Sequence, residues 1–177
     1  MIAHLDELIE AGIASIKIEG RVKSDYYLAT TIRSYRMAID EYYSDPKNYK
    51  FDPYYEEELK KVSHRDWTTG FFYGKAKEDS QVYTDNSYIR GYDYVGVVES
   101  YDEETKIATV VQKNRIFSGE EVEIFGPGKK HFTQKIEKMY DEDDNEIEVA
   151  NKALQIYKFK TTEPVEEKYM IRRKSQS

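Results

Sequence analysis

Glu19 and Arg21 are the side chains of this chain best placed to do chemistry. They close a run in which Ala14, Ile16 and Ile18 alternate with Ser15, Lys17 and Glu19, and a long amphipathic stretch opens directly after them at Ser24. A carboxylate at the end of a buried strand can bind substrate or take a proton, and a nearby arginine can clamp a carboxylate or phosphate. The plainer reading is a mutual salt bridge, or two solvated charges. In a complete enzyme the pair would serve chemistry; in this chain alone the plainer reading stands.

Other candidates are weaker. His64 and Arg65 sit in a stretch dense in aromatics and glycines, with Trp67, Phe71 and Phe72. They could grip substrate from a loop, or the stretch could be an aromatic plug with Arg65 stacked on a ring. A lone histidine with no second ligand at metal spacing points to no metal. Lys129, Lys130 and His131 follow the Gly126-Pro127-Gly128 turn and could touch phosphate, against the alternative of a solvated hairpin tip. Arg172, Arg173 and Lys174 read as the end of a last strand running into a tail. Asp141, Asp143 and Asn145 have the opening spacing of a calcium loop, but Glu146 stands where its glycine belongs and Lys152 where its last glutamate belongs. An acidic hairpin turn fits these residues better. No glycine-rich phosphate loop, serine–histidine pair or zinc motif is present.

Composition narrows the classes further. The 177 residues carry 27 lysines and arginines against 34 acids, a net charge of −7, which argues against a broad nucleic-acid-binding face but not against local basic patches. With 39% hydrophobic and 34% charged residues the chain is polar yet able to fold. Much of the core-forming area comes from 17 tyrosines, whose amphipathic rings suit half-exposed sheets. Zero cysteines exclude disulfides, thiolate catalysis and cysteine-held clusters within these residues. No run is apolar enough for a membrane helix, and no signal peptide is visible, so a cytoplasmic location without membrane contact is expected.

The elements that must position these residues follow from periodicity. Ile2, Leu5, Leu8 and Ile9 recur at helical spacing, with Gly12 as a C-cap. Residues 14–19 alternate as a strand, and Gly20 ends it. Ser24 caps a long helix whose apolar face is Leu28, Ile32, Tyr35, Ile39 and Tyr42, stopped by Asp45-Pro46. Residues 1–44 therefore read as helix, strand, helix: the closing elements of an α/β fold whose remaining sheet is absent. Residues 45–83 form a connector, with a short helix opening at Asp52-Pro53 and running to about Val62. Residues 84–177 hold short strand-like runs at 94–98, 106–112, 121–125, 132–140, 155–160 and 169–172, separated by turn signals. Such spacing predicts a small closed antiparallel β-barrel. The fold class is α+β.

Several of these stretches together resemble peptidase family U32, the collagenase-like proteases and their relatives in RNA and quinone hydroxylation. The resemblance rests on Lys17-Ile18-Glu19-Gly20-Arg21 with Ser24 and Tyr27, and on Ser63-His64-Arg65 with Thr68-Thr69-Gly70-Phe71. It rests also on Phe117-Ser118-Gly119-Glu120-Glu121-Val122-Glu123-Ile124-Phe125-Gly126-Pro127. The resemblance implies an N-terminal (β/α)₈ barrel whose last strand is about residues 13–19, with Glu19 and Arg21 at the end where such barrels build active sites. The family's cysteine-containing signature lies in the part that is missing here. The stretch 119–126, preceded by Val95-Gly96-Val97-Val98, also looks like the small β-barrel domain of translation elongation factors.

The resulting expectation is the C-terminal part of a U32-type peptidase, in which the β-barrel binds or positions substrate and catalysis belongs to the missing barrel. Glu19 and Arg21 would be its catalytic remnants, and His64, Arg65, Lys129 and Lys130 would contact substrate. The alternatives are an RNA-binding part of a tRNA- or rRNA-hydroxylation relative, and a non-enzymatic binding module of translation-factor type. The residues themselves call for no cofactor or metal; an iron–sulfur cluster or metal in the parent is left open. The expected partners are the missing barrel, a protein or RNA substrate, and a second copy of the chain through the Leu28–Ile39 face.

Overall fold

The computed structural model describes residues 1–64, 69–75 and 91–175. They divide into two compact units, Met1–Gly91 and Tyr92–Ser177. The class is the expected one: a helical N-terminal part and a small antiparallel β-barrel.

The first unit opens with a 3₁₀ turn, Ile2–His4, that runs into helix α1, Leu5–Glu10. Gly12 ends it with a positive φ of 78°, where the Gly12 amide donates to the Ile9 carbonyl and the Ile13 amide to that of Leu8. These two bonds form a Schellman cap, which needs a residue that tolerates the left-handed region. Helix α2, Asp25–Ser44, starts where Ser24 Oγ accepts the Tyr27 amide at 3.2 Å. Helix α3, Tyr54–Lys60, starts where Asp52 Oδ1 accepts the Tyr54 amide at 2.9 Å.

The packing of α2 differs from the sequence expectation. Its buried residues are Tyr26, Thr30, Thr31, Arg33, Ser34, Ala38 and Tyr42, whereas Ile32 is 53% exposed and Leu28, Tyr35 and Ile39 are half-buried. The small and polar face packs against α3 because Arg33 Nη1 meets Glu58 Oε2 at 2.8 Å and its Nη2 donates to the Tyr54 hydroxyl at 2.8 Å. Ile2, Leu5, Ala38, Tyr55 and Leu59 fill the remaining core of this unit. Of the expected apolar face, Tyr42 is buried, Tyr35 and Ile39 pack partly against this core, and Ile32 is left exposed.

Residues 14–19, expected as a strand, carry no strand pairing in the structure. Among the described residues, no amide from Ala14 to Glu19 donates a backbone hydrogen bond. A strand is made by its neighbours, and this segment has none; its alternating pattern is present without a ladder.

The second unit contains β1 Tyr92–Asp102, β2 Ile107–Gln112, β3 Ile116–Phe117, β4 Glu121–Phe125, β5 Phe132–Lys135, β6 Met139–Tyr140, β7 Glu146–Ile147, β8 Val149–Ala150, β9 Ile156–Lys160 and β10 Met170–Lys174. Eight of them form one curled sheet in the order β5-β4-β10-β1-β2-β9-β6-β7, and β3 pairs with β8. The single run expected at 132–140 is thus two strands. The two-residue β3, β7 and β8 escaped the sequence reading because two residues show no periodicity. Val95, Val98, Val110, Ile124, Tyr157, Phe159 and Ile171 lead the core. Gly96 lies on β1 because a Cβ there would stand 2.6 Å from Val110 Cγ1 and 2.7 Å from the Tyr157 hydroxyl.

Candidate functional site

In the first unit the unpaired segment lies beside α1 and α2, and two grooves meet along it at Ile16, Ile18 and Tyr35. The larger, about 620 Å³, also takes in Leu8, Lys17, Glu19, Tyr27 and Thr31. The smaller, about 360 Å³, takes in Ile9, Ile13, Ile32 and Ile39. Ile13 is 47% exposed and Ile16 40%. Both edges of the segment's backbone are open and its apolar residues line the gaps.

Glu19 borders the larger groove, and Gly20 follows it closely packed: a Cβ on Gly20 would fall 2.1 Å from Leu28 Cδ2. The Glu19 carboxylate accepts the Arg21 backbone amide at 2.8 Å, and both residues are exposed. The structure thus brings the two together through a local turn, without an ion pair between their side chains among the described contacts.

The other sequence candidates are scattered. His64 Nδ1 lies 2.7 Å from the Val62 carbonyl, so that nitrogen carries the proton and donates within its own loop. Arg65, with Trp67 and Thr68, lies outside the described residues. The aromatic stretch beyond them is no closed plug within its unit, since Phe71 is 78% exposed. Tyr73 instead reaches Glu7 at 2.6 Å, and that bond is the main reason its phenol is pushed up to about 12. Lys129 Nζ stands 4.0 Å from Glu166 Oε1, both well exposed, a geometry worth little in water.

Residues 172–174 end the last strand as expected, but they are no free basic patch. Arg172 lies opposite Glu123 in the β10–β4 register and meets its Oε2 through Nε and Nη2, each at 2.7 Å. Its guanidinium lies 4.7 Å from the Phe125 ring centroid and 5.4 Å from that of Tyr92. Arg173 Nη1 contacts both carboxylate oxygens of Glu120. Two acids of the 117–127 motif are therefore neutralised by the last strand. Asp141 behaves as a turn residue: its Oδ1 accepts the Asp143 and Asn145 amides. The Asn145 amide bond is the largest influence holding its carboxyl below the usual range. The acidic hairpin turn is what the structure contains.

One cluster had no signal in the sequence. On the β-barrel, Lys106, Lys135, Lys138 and Lys160 line a single groove of about 490 Å³ together with Tyr140. Lys106 and Lys160 lie far apart in the chain from each other and from the Lys135–Lys138 stretch, and strand register brings the first two together: Ile107 pairs with Lys160, so Lys106 sits beside the end of β9.

Comparison with known proteins adds to this geometry. Residues 1–82 match peptidase family U32, and residues 90–172 match the peptidase family U32 C-terminal domain. The chain is 42% identical over 173 residues to tRNA hydroxylation protein P1 of Bacillus subtilis, covering 98% of this chain and 41% of that protein. It is 26% identical over 139 residues to a collagenase of Porphyromonas gingivalis, covering 78% of this chain and 38% of the collagenase. The chain thus spans about two fifths of the length of these relatives. A solved C-terminal domain from Geobacillus thermoleovorans, described as that of a U32 peptidase, shares 49% identity with it at a TM-score of 0.45. The match covers 46% of this chain and 99% of that domain.

Proposed function

The chain belongs to peptidase family U32, and from that membership we propose that it is the substrate-engaging C-terminal part of a tRNA-hydroxylation protein. In this reading the reaction takes place in a (β/α)₈ barrel to which residues 13–19 contribute a strand. Identity to the Bacillus subtilis tRNA hydroxylation protein over 98% of the chain carries the choice. A peptide substrate, expected first from the sequence, gives way here to RNA, because the match to a collagenase is weaker and shorter. With no cysteine in the 177 residues, these residues cannot hold a thiolate-ligated cluster. Glu19 and Arg21 then sit at the strand end facing the reaction, as groups that bind or orient substrate. Among the described residues no helix is long and apolar enough to cross a membrane.

A chimera tests the reading. This chain replaces the matching stretch of the Bacillus subtilis protein in a strain lacking the native copy, and tRNA nucleosides are analysed by mass spectrometry. Return of the hydroxylated nucleoside is expected. A chimera that accumulates to normal levels but leaves tRNA unhydroxylated contradicts it, and gelatin cleavage by the chimera would return the reading to peptidase.

The same account makes the isolated chain self-associate, because the Ile32–Ile39 stripe and the Ile13–Ile16 segment then lack their cover. Sedimentation velocity should show dimers or larger species at high concentration, and Ile32→Asp should shift them to monomer. A wild-type chain that stays strictly monomeric counts against an uncovered apolar face.

A further inference from the structure

The lysine-lined groove of the β-barrel has no role in the reading so far, and its construction is unusual. The main sheet runs from β5 at one end to β7 at the other, with no ladder joining those ends. The Gln134 side chain of β5 reaches across to the C-terminal end of β9 instead. Its Nε2 donates to the Lys160 carbonyl at 2.9 Å, and its Oε1 accepts the Thr162 amide at 2.9 Å. A side-chain bridge holds two strand ends at fixed separation but leaves space between them, and that space is the groove.

The charges around it are one-sided. Lys106, Lys135, Lys138 and Lys160 line it, with Glu137 the single acid among the lining residues. Lys138 is matched by Glu146 at 2.7 Å. Lys106, Lys135 and Lys160 are exposed and form no ion pair with any other described residue. In a chain of net charge −7, three uncompensated cations on one groove are a local reversal of sign. Lysine is a compact point charge suited to phosphate, and Tyr140 on the same groove offers a half-buried ring. Cations that track a backbone beside an aromatic ring are the pattern by which unpaired nucleic-acid strands are held.

We infer that this groove binds the phosphodiester backbone of an unpaired stretch of RNA, with Lys106, Lys135 and Lys160 on successive phosphates and Tyr140 against a base. The inference rests on the tRNA reading above and adds the surface that would do the holding. An acidic peptide would satisfy the lysines but would make no use of the ring. The surrounding negative charge confines RNA to this groove and makes binding sensitive to salt. Three phosphate contacts to a single strand give a slope of log K against log salt of about −2.

The test is fluorescence anisotropy with the full chain and unmodified tRNA across a salt series. Wild type is expected to bind at low salt with that slope. The triple variant Lys106→Gln, Lys135→Gln, Lys160→Gln should bind at least about tenfold more weakly, with a slope near zero. Because all three side chains are exposed, its melting temperature should be unchanged. Lys129→Gln with Lys130→Gln tests the rival contact at the β4–β5 turn, where the smaller loss is expected. If wild type binds but the triple variant binds equally well, the groove is wrong and the tRNA reading survives. If the Lys129 and Lys130 variant loses binding instead, the contact lies at the β4–β5 turn and the groove is again wrong. If wild type fails to bind tRNA at low salt, the groove falls, whereas the tRNA reading is judged separately by the chimera. Polyglutamate binding as tightly as tRNA overturns the RNA assignment in favour of an acidic peptide.

Discussion

Arg172→Ala should lower the unfolding free energy of the barrel by about 3 kcal/mol, the scale on which removal of one partner from a buried ion pair acts. The Arg172 side chain has no exposed surface and that of Glu123 has 14%. The substitution removes two charged hydrogen bonds to one carboxylate oxygen and two ring contacts together. Tyr92 at 3.3 Å and His131 at 3.6 Å make longer contacts to the same carboxylate. A buried carboxylate that loses its guanidinium is the expensive part, more than the lost attraction. Replacing both members, Arg172→Met with Glu123→Leu, should therefore cost much less than Arg172→Ala alone. Urea unfolding of the three proteins, followed by tryptophan-independent circular dichroism, provides the comparison. A loss below about 1 kcal/mol for Arg172→Ala would place the pair among ordinary surface bridges.

Ile16→Asp combined with Ile18→Asp should abolish tRNA hydroxylation by the chimera, reducing it at least about a hundredfold, while leaving the isolated chain's melting temperature nearly unchanged. The two effects separate because of where these residues lie. In the chain alone Ile16 is 40% exposed and Ile18 is half-buried, so a carboxylate at either position remains hydrated. Once residues 13–19 take their place in a sheet whose face is closed, the same carboxylates must be stripped of water, at several kcal/mol each. Docking is lost before such a cost is met. Equal activity of the doubly substituted chimera would mean that the segment stays solvated in the working enzyme.

These outcomes bear on which features a sequence exposes. Gly12, Ser24 and Asp52 act through their own backbone neighbourhoods, and each was legible at once as a cap. The alternation of residues 14–19 was equally legible, but pairing belongs to partners elsewhere in space, so the pattern appears here without its ladder. The buried face of α2 was misread because apolar periodicity favours Leu28, Ile32 and Ile39, whereas close approach to α3 is won by the small residues Ser34 and Ala38 and by the Arg33–Glu58 pair. A long-range ion pair leaves no periodic trace.

The sites show the same division. Arg172 and Arg173 read as a basic tail because nothing local reveals that Glu123 and Glu120 stand beside them across the β4–β10 contact. Lys129 and Lys130 drew attention by being adjacent in the chain. Lys106, Lys135 and Lys160 had no such advertisement, since β2–β9 register and the Gln134 bridge are what assemble them. Glu19 and Arg21 were found because strand, glycine and helix cap follow one another without a gap.

Hydrogen–deuterium exchange at the amides of residues 14–19 tests the central claim most directly, comparing the isolated chain with the chimera that supplies a barrel. In the isolated chain these amides should exchange at close to the rate of an unstructured peptide, since none donates a backbone hydrogen bond. In the chimera they should slow by at least about a hundredfold, as ladder bonds in a packed sheet require. Equally fast exchange in both proteins would contradict the account, because the segment would then be a solvated linker and not a strand completing a catalytic sheet.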